Sequence, residues 1–74
     1  MVTVYTNPNC VQCEQTKKWL NLNEIEYSIV DLSSDAVALE MVLELGFKSA
    51  PVVITDTDKW SGFKLEKLAQ LKGE

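Results

Sequence analysis

Residues 2–13 read VTVYTNPNCVQC, and this stretch combines a strand, a turn and the beginning of a helix. Its first five residues are all β-branched or aromatic, which favours a strand, and the turn formers at residues 7–9 end it. Cys10 and Cys13 follow at once and open a segment with helical spacing. A C-x-x-C pair between a strand and a helix is typical of a redox-active dithiol.

Downstream of the cysteines, segments with the spacing of helices alternate with segments that have the spacing of strands. Ser33 and Ser34 offer an N-cap for the second helix, and Asp35 lies in its first turn. Gly46 supplies its C-cap. The predicted core stripe of this helix consists of Ala36, Leu39, Val42 and Leu43. The predicted elements are a strand at residues 2–6, a helix from 10 to 21–23, a strand over 25–31, a helix from 35 to 46, a strand over 51–55, an edge strand at 59–60 and a helix around 64–69.

The predicted order of elements is therefore β-α-β-α-β-β-α. The first two strands are joined through a helix, so we expect them to be parallel with a right-handed crossover. The third and fourth strands are joined by a turn at residues 55–58 and should form an antiparallel hairpin. The fold class that buries all of the apolar stripes is α/β, with a four-stranded mixed sheet and helices on both faces.

The chain has 74 residues, which suffice for one small domain, and we expect residues 1–74 to form it. Its composition, 46% hydrophobic and 24% charged, is that of a globular protein. A domain of this size buries only about 60% of the surface of its unfolded chain, which leaves little volume for a deep pocket. Large substrates must therefore bind on the outer surface.

Charge and residue types exclude several classes of function. The net charge of −4 disfavours nucleic acid and anionic lipid as partners. Histidine is absent, which excludes imidazole catalysis and metal sites that need a histidine. No segment approaches the roughly 20 apolar residues of a membrane span, and no signal peptide is recognisable. We therefore expect a cytoplasmic protein, in which paired cysteines stay reduced unless they take part in redox chemistry.

The positions of Cys10 and Cys13 suit thiol chemistry. Cysteines three residues apart in a first helical turn lie within the roughly 4.4–6.8 Å that a disulfide requires between Cα atoms. The helix N-terminus favours a thiolate at Cys10. If this lowers the pKa of the thiol from about 8.5 to about 7, its reactivity at neutral pH rises only about threefold, because the nucleophilicity of a thiolate falls with its pKa. The proximity of the second sulfur matters more. We therefore expect Cys10 to attack a disulfide and Cys13 to resolve the mixed disulfide.

Two other roles for the dithiol remain open. A structural disulfide would close a loop of about four residues and would stabilise the chain by only about 2 kcal/mol. As metal ligands, two thiolates without histidine need a second chain or glutathione to complete a zinc site or to hold an iron–sulfur cluster. The metal alternative thus requires a dimer, and we expect no resident metal.

Two motifs further along the chain are informative. Ala50-Pro51 begins the third strand, and the general preference of such bonds predicts a trans peptide. The segment WSGF, residues 60–63, places two large aromatic side chains beside a glycine. Either one of them faces solvent as a docking surface, or both pack under the last helix.

Together, four motifs resemble those of the NrdH-redoxins, a glutaredoxin-like family, over nearly the whole chain: Val4-Tyr5-Thr6 before Cys10-Val11-Gln12-Cys13, Gly46-Phe47, Ala50-Pro51-Val52-Val53 and Trp60-Ser61-Gly62-Phe63. The resemblance implies the thioredoxin fold, with the C-x-x-C as active dithiol and Pro51 in the cis form beside it. It also implies that the backbone of Ala50 pairs with an incoming peptide. The residues expected to bind substrate or partner are Asn9, Val11, Gln12, Ala50, Pro51, Trp60, Ser61, Gly62 and Phe63.

The same resemblance implies a function and partners. The chain would reduce the disulfide in the large subunit of class Ib ribonucleotide reductase. Its own dithiol would be restored by thioredoxin reductase, with NADPH as the source of electrons and no cofactor bound to the chain itself. We expect it to act as a monomer.

Ordinary glutaredoxins, which depend on glutathione, are the alternative within the same chemistry. They typically carry Cys-Pro-Tyr-Cys, a basic residue shortly before it and an acidic residue after the glycine turn. Here Val11-Gln12 replace Pro-Tyr, the turn at residues 7–9 has no basic residue, and Lys64 takes the place of the acidic one. The residues that hold glutathione are therefore missing. Lys64-Leu65 also stand where NrdH-redoxins usually have Arg-Pro, and partner affinity is the property that this departure leaves open.

Overall fold

The structure, a computed structural model, describes residues 1–72 and is built around a four-stranded sheet. Its elements are, in chain order, β1 (Thr3–Thr6), α1 (Val11–Leu22), β2 (Ser28–Asp31), α2 (Ala36–Glu44), β3 (Val52–Ile54), β4 (Lys59–Ser61) and α3 (Leu65–Lys72). This is the predicted order of elements. The last two residues of the domain expected over 1–74 lie outside the described residues.

The strands of the sheet lie in the order β2-β1-β3-β4. β1 pairs in parallel with β2, so that Val4 lies opposite Ile29, and antiparallel with β3, so that Val4 lies opposite Val53. β3 and β4 form an antiparallel hairpin in which Val53 lies opposite Trp60. The predicted parallel pair, hairpin and mixed sheet are confirmed, and with the three helices they form the thioredoxin fold.

Two separate cores lie on opposite faces of the sheet. Because side chains alternate along a strand, Val53 faces one core and Val52 faces the other. The first core joins the sheet to α1 and α3 and consists of Val2, Val4, Leu20, Val53, Trp60 and Leu68. The second joins the sheet to α2 and consists of Leu32, Val42 and Val52. Helices therefore cover both faces, as predicted.

The second strand is shorter than its alternating pattern predicted. It begins at Ser28, whose N–H donates to the Val2 carbonyl at 2.8 Å, rather than at Ile25. The N–H of Ile25 instead donates to the Leu20 carbonyl at 3.0 Å, which ties the connection after α1 back to the last turn of that helix. Ile25 and Tyr27 pack against the first core. Their alternation thus reflects a partly buried connection, which periodicity alone does not distinguish from a strand.

The N-cap of α2 is Asp35, not Ser33 or Ser34 as predicted. The carboxylate of Asp35 accepts the N–H of Ala38 at 3.0 Å. Ser33 instead donates its N–H and its hydroxyl to Asp31 Oδ1, at 2.9 and 2.6 Å. The serines are therefore used in the turn before the helix, where Asp31 competes for them.

The C-cap of α2 is Leu45, one residue before the predicted Gly46, and the apolar stripe of the helix is less buried than expected. Gly46 has a φ of +95°, a conformation that favours glycine, and follows the last turn of the helix. Within the predicted stripe, Val42 is buried, whereas Leu39 and Leu43 are 40% and 53% exposed and Ala36 is exposed as well. The helix therefore carries more apolar surface than the second core covers.

Candidate functional site

α1 begins directly after the turn that follows β1. Asn9 in this turn has a φ of +57°, a left-handed conformation that asparagine tolerates better than most residues. Cys10 is extended, with φ −115° and ψ 106°, and its Sγ accepts the N–H of Cys13 at 3.1 Å. The sulfur of Cys10 therefore takes the N-cap position, next to the unpaired N–H groups and the positive end of the helix dipole.

Cys10 and Cys13 are joined by a disulfide, and their Cα atoms are 5.2 Å apart, within the range that the spacing predicted. The two residues differ in exposure. Cys10 is partly exposed, whereas Cys13 is fully buried at 0%. A molecule in solution can therefore reach Cys10 but not Cys13.

The loop before β3 lies next to the disulfide. The Ala50–Pro51 peptide bond is cis, and the Ala50 carbonyl oxygen is 3.7 Å from Cys10 Sγ. This oxygen can accept a hydrogen bond from the Cys10 thiol once the disulfide is reduced. The trans form predicted from the general preference is wrong, and the cis form implied by the family resemblance is confirmed.

The loop after β4 is tied to the loop that contains Pro51. The N–H of Gly62 donates to the Pro51 carbonyl at 2.7 Å, and the hydroxyl of Ser61 donates to the Ser49 carbonyl at 2.7 Å. Gly62 has a φ of +92°, which other residues adopt only with strain. These contacts hold the WSGF segment, residues 60–63, close to the dithiol.

Gln12, inside the C-x-x-C, connects the helix to the same loop. Its Oε1 accepts the N–H of Phe63 at 3.2 Å, and a Cβ added to Gly62 would lie 3.4 Å from that oxygen. Three segments that are distant in sequence therefore form one surface. The sequence analysis singled out these segments but missed the bond between Gln12 and Phe63 and the part played by Ser49, because hydrogen bonds between loops leave no periodic signal.

The two aromatic residues of the WSGF segment lie in different environments. Trp60 is 3% exposed and belongs to the first core. Phe63 is half-buried and packs against the edge of that core. Of the two alternatives for this pair, Trp60 thus takes the core position, while Phe63 keeps part of its ring at the surface. The side chain of Pro51 is also buried, so Pro51 and Trp60 shape the surface from below.

Two carboxyl groups in turns have lowered pKa values. The side-chain and backbone hydrogen bonds from Ser33 lower the pKa of Asp31 below its ordinary value of 3.8. The hydrogen bond from the Lys67 side chain, followed by that from the Lys59 backbone, lowers the pKa of Asp58 below the same value. Both groups are therefore fully ionised at neutral pH, and each fastens the turn in which it lies.

Within residues 1–72, no three His, Cys, Asp or Glu side chains lie close enough together to hold a metal ion. In that same part of the chain, no helix has the length and apolar character needed to cross a membrane. The reactive pair that the structure does bring together is Cys10 and Cys13, and the chemistry that their geometry supports is thiol–disulfide exchange.

Comparisons with known proteins agree with this geometry. Residues 2–60 match the family model described as Glutaredoxin. The glutaredoxin-like protein NrdH of Lactococcus lactis subsp. cremoris is 42% identical over 71 residues, which cover 96% of this chain and 99% of that protein. The NrdH of Escherichia coli K12 is 31% identical over 70 residues, which cover 95% and 86%. The structure of the E. coli NrdH-redoxin, described as glutaredoxin-like with a thioredoxin-like activity profile, superposes with a TM-score of 0.93 at 31% identity and covers 95% and 92% of the two chains.

Proposed function

This chain belongs to the glutaredoxin family and is similar to NrdH over nearly its full length, and from that premise we propose that it delivers electrons to a protein disulfide. Thiol–disulfide oxidoreduction is the activity that its family and its C-x-x-C motif support. Within it, we assign Cys10 as the attacking sulfur and Cys13 as the resolving sulfur. The observation that carries this assignment is the difference in exposure, since Cys10 is partly exposed and Cys13 is buried.

The cycle starts from the reduced dithiol. The Cys10 thiolate, stabilised by the N–H of Cys13 and by the helix dipole, attacks one sulfur of the target disulfide. The other target sulfur leaves as a thiolate and takes a proton from water. Cys13 then gives up its proton and attacks Cys10 Sγ, which breaks the bond to the target and releases the second target sulfur. The target has gained two electrons, and the chain has reached the disulfide form seen in the structure.

The target that we propose is the disulfide in the large subunit of class Ib ribonucleotide reductase, because the relatives in Lactococcus lactis and Escherichia coli, which match nearly the whole chain, carry the name NrdH. The electron donor that we propose is thioredoxin reductase with NADPH, because the E. coli NrdH-redoxin is described as having a thioredoxin-like activity profile. The cycle needs no cofactor bound to the chain, since both electrons move between sulfur atoms. We expect the chain to act as a monomer in the cytoplasm, where a reductase keeps thiols reduced.

The surface around Cys10 is suited to an extended peptide. Val11 is 72% exposed at the start of α1, and we propose that the backbone of Ala50, beside the sulfur, pairs with the target chain. Pro51 and Trp60 support this surface without exposing their side chains. The accessible or partly accessible residues proposed to contact the target are Asn9, Val11, Gln12, Ala50, Ser61, Gly62 and Phe63.

A coupled assay tests the donor and separates this function from that of an ordinary glutaredoxin. The protein is mixed with NADPH and a disulfide substrate, together with either thioredoxin reductase or glutathione and glutathione reductase. We expect NADPH oxidation with thioredoxin reductase, because Lys64 is exposed where glutaredoxins place an acidic residue for glutathione. The Cys10→Ser variant is the control and should be inactive with both donors. NADPH oxidation with glutathione and glutathione reductase, and none with thioredoxin reductase, would contradict the proposal.

A further inference from the structure

The buried face of α1 carries a hydroxyl that the fold does not pair. Cys13, Thr16 and Leu20 are each 0% exposed and follow one another at helical spacing. Among residues 1–72, Thr16 Oγ1 has no hydrogen-bond partner. A buried hydroxyl without a partner destabilises the fold, because it has lost its hydrogen bonds to water. Stability alone therefore does not account for a threonine at this position.

Thr16 lies one helical turn after Cys13, on the same buried face of α1. Residues three apart on a helix are neighbours on the same face. Helical side chains also lean towards the N-terminus, so that Thr16 lies over the turn that contains Cys13. A helical threonine often donates back to the carbonyl four residues earlier, here that of Gln12. The structure has neither this bond nor a hydrogen bond from Thr16 to a sulfur, so the hydroxyl can take up a new acceptor one turn away.

We propose that Thr16 is a positioning residue for the resolving step, in which its hydroxyl donates a hydrogen bond to the Cys13 thiolate. The proposal rests on the proposed function, because it takes Cys13 as the sulfur that resolves the mixed disulfide. A disulfide sulfur is a weak acceptor and a thiolate is a strong one. In the oxidised protein the hydroxyl has no hydrogen-bond partner, and it gains a strong acceptor when Cys13 is ionised.

Few groups near Cys13 can stabilise a negative charge on its sulfur, which makes the Thr16 hydroxyl important for the thiolate. Of the charged residues along α1, Glu14 and Lys17 pair with each other at 2.9 Å, and Lys18 is exposed to solvent. The other thiol nearby, Cys10, is bonded to the target at the moment when Cys13 reacts. The sheet and α3 cover the inner face of α1 with residues that carry no charge: Val2, Val4, Val53, Trp60 and Leu68. Charge at the buried sulfur is therefore disfavoured unless a local donor compensates for it.

In the resolving step, the Cys13 thiol first loses its proton to water while Thr16 keeps its own proton and donates it in a hydrogen bond. The Cys13 thiolate then attacks Cys10 Sγ, the sulfur–sulfur bond to the target breaks, and the target thiolate takes up a proton. One disulfide is exchanged for another, and no external oxidant or reductant is needed. The Thr16 hydroxyl favours the loss of the proton from Cys13, because it stabilises the thiolate that then attacks.

The first test is a titration of Cys13 in a Cys10→Ser background, where Cys13 is the single thiol of the chain, which has 2 cysteines. The 13C chemical shift of Cys13 Cβ, followed by NMR as a function of pH, then reports on this thiol alone. Thr16→Val keeps the shape of the side chain and removes the hydroxyl, and we expect it to raise the measured pKa by about one unit. Thr16→Ser keeps the hydroxyl and should restore the original value. An unchanged pKa in Thr16→Val, or a serine variant that behaves like the valine variant, overturns the proposal.

The second test measures release of the target from the mixed disulfide in the otherwise unchanged protein. About tenfold less thiolate, offset by its greater nucleophilicity, gives release about threefold slower at neutral pH in Thr16→Val. The pH profile of release should move to higher pH by the same amount as the titration, whereas Thr16→Ser should follow the unmodified protein. Equal release rates and equal pH profiles for all three proteins would overturn the inference about Thr16 but would leave the proposed function intact. Failure of the unmodified protein to release any target would instead contradict the proposed function.

Discussion

α1 and α2 begin in the same way, yet the start of one is a reactive site and the start of the other is a structural cap. Cys10 has φ −115° and ψ 106°, and Asp35 has φ −129° and ψ 93°. Each side chain accepts the N–H of the residue three positions later, at 3.1 Å for Cys10 and 3.0 Å for Asp35. A sulfur thus stands where α2 has a carboxylate oxygen, and both benefit from the positive end of a helix.

The difference lies in what surrounds the two caps. The neighbours of Asp35 are local, because Ser33 and Ser34 bond to Asp31 within the preceding turn. The neighbours of Cys10 come from distant segments, since the Ala50 carbonyl is 40 residues away in sequence. The common local geometry therefore supplies a helix cap, and the tertiary contacts around Cys10 add the surface that we propose for binding a redox partner.

The largest effect that we predict concerns the difference between the two sulfurs of α1. Cys13→Ser should accumulate a stable mixed disulfide with the target, because Cys10 still attacks and nothing resolves the product. Cys10→Ser should accumulate none, because Cys13 is buried. Non-reducing electrophoresis followed by mass spectrometry of the adduct measures both. Equal trapping by the two variants would break the assignment of roles.

Substitutions that replace the cap atom of α1, Cys10 Sγ, should distinguish its effect on stability from its effect on activity. Cys10→Ser keeps an oxygen that can accept the N–H of Cys13 and donate to Ala50, whereas Cys10→Ala removes the acceptor. Both variants should lose all activity, and alanine should cost about 1 kcal/mol more in the free energy of unfolding than serine. Urea denaturation under reducing conditions measures the difference. Identical stabilities would show that Cys10 does not cap the helix.

The matching change in α2 should alter stability alone. Asp35→Ala removes the carboxylate that accepts the N–H of Ala38, and we expect it to cost about 1 kcal/mol in the free energy of unfolding. Asp35→Asn keeps an acceptor oxygen and should cost less. Turnover with thioredoxin reductase should be the same in both variants at a temperature well below unfolding. A loss of turnover in the folded alanine variant would contradict the view of this cap as purely structural.

The smallest predicted effect concerns the turn before α2 and appears only in acid. The hydrogen bonds from Ser33 place the pKa of Asp31 below 3.8, so their contribution to stability is present above that value and is lost as the pH falls through the lowered pKa. Ser33→Ala removes the side-chain bond but keeps the backbone one. The pKa of Asp31 should then rise part of the way towards 3.8, and the stability should depend less steeply on pH below that value. Carboxyl NMR titration of Asp31 checks the shift, and an unchanged pKa would contradict the assigned cause.

Much of the fold follows from patterns within a few residues of one another. The order of strands and helices, the mixed sheet and the helix that opens at Cys10 were predicted correctly because periodicity and turn formers are local signals. The predictions that failed, the cap of α2 and the start of the second strand, concern residues whose contacts in the folded protein differ from those that the local pattern favours. Asp31 takes both hydrogen bonds of Ser33 and thereby moves the cap to Asp35. Ile25 packs against the first core and is partly buried by it, but it is not part of a strand.

The candidate site was predicted less completely than the fold. The two cysteines and their spacing are visible in the sequence, and so is the WSGF segment at residues 60–63. The burial of Trp60 and the unpaired hydroxyl of Thr16 are not, because both depend on how the helices pack on the sheet. The cis form of the Ala50–Pro51 bond follows from the family resemblance and not from the general behaviour of proline.

By itself, the sequence determined that a dithiol opens a helix after a strand in a small α/β domain, since these features depend on composition and on spacing along the chain. The tertiary structure alone decided that Cys10 is accessible and Cys13 is not, and that Gln12 bonds to Phe63, 51 residues away. Exposure and long-range hydrogen bonds are properties of packed segments. They arise only when those segments fold against one another, and no local pattern in the chain encodes them.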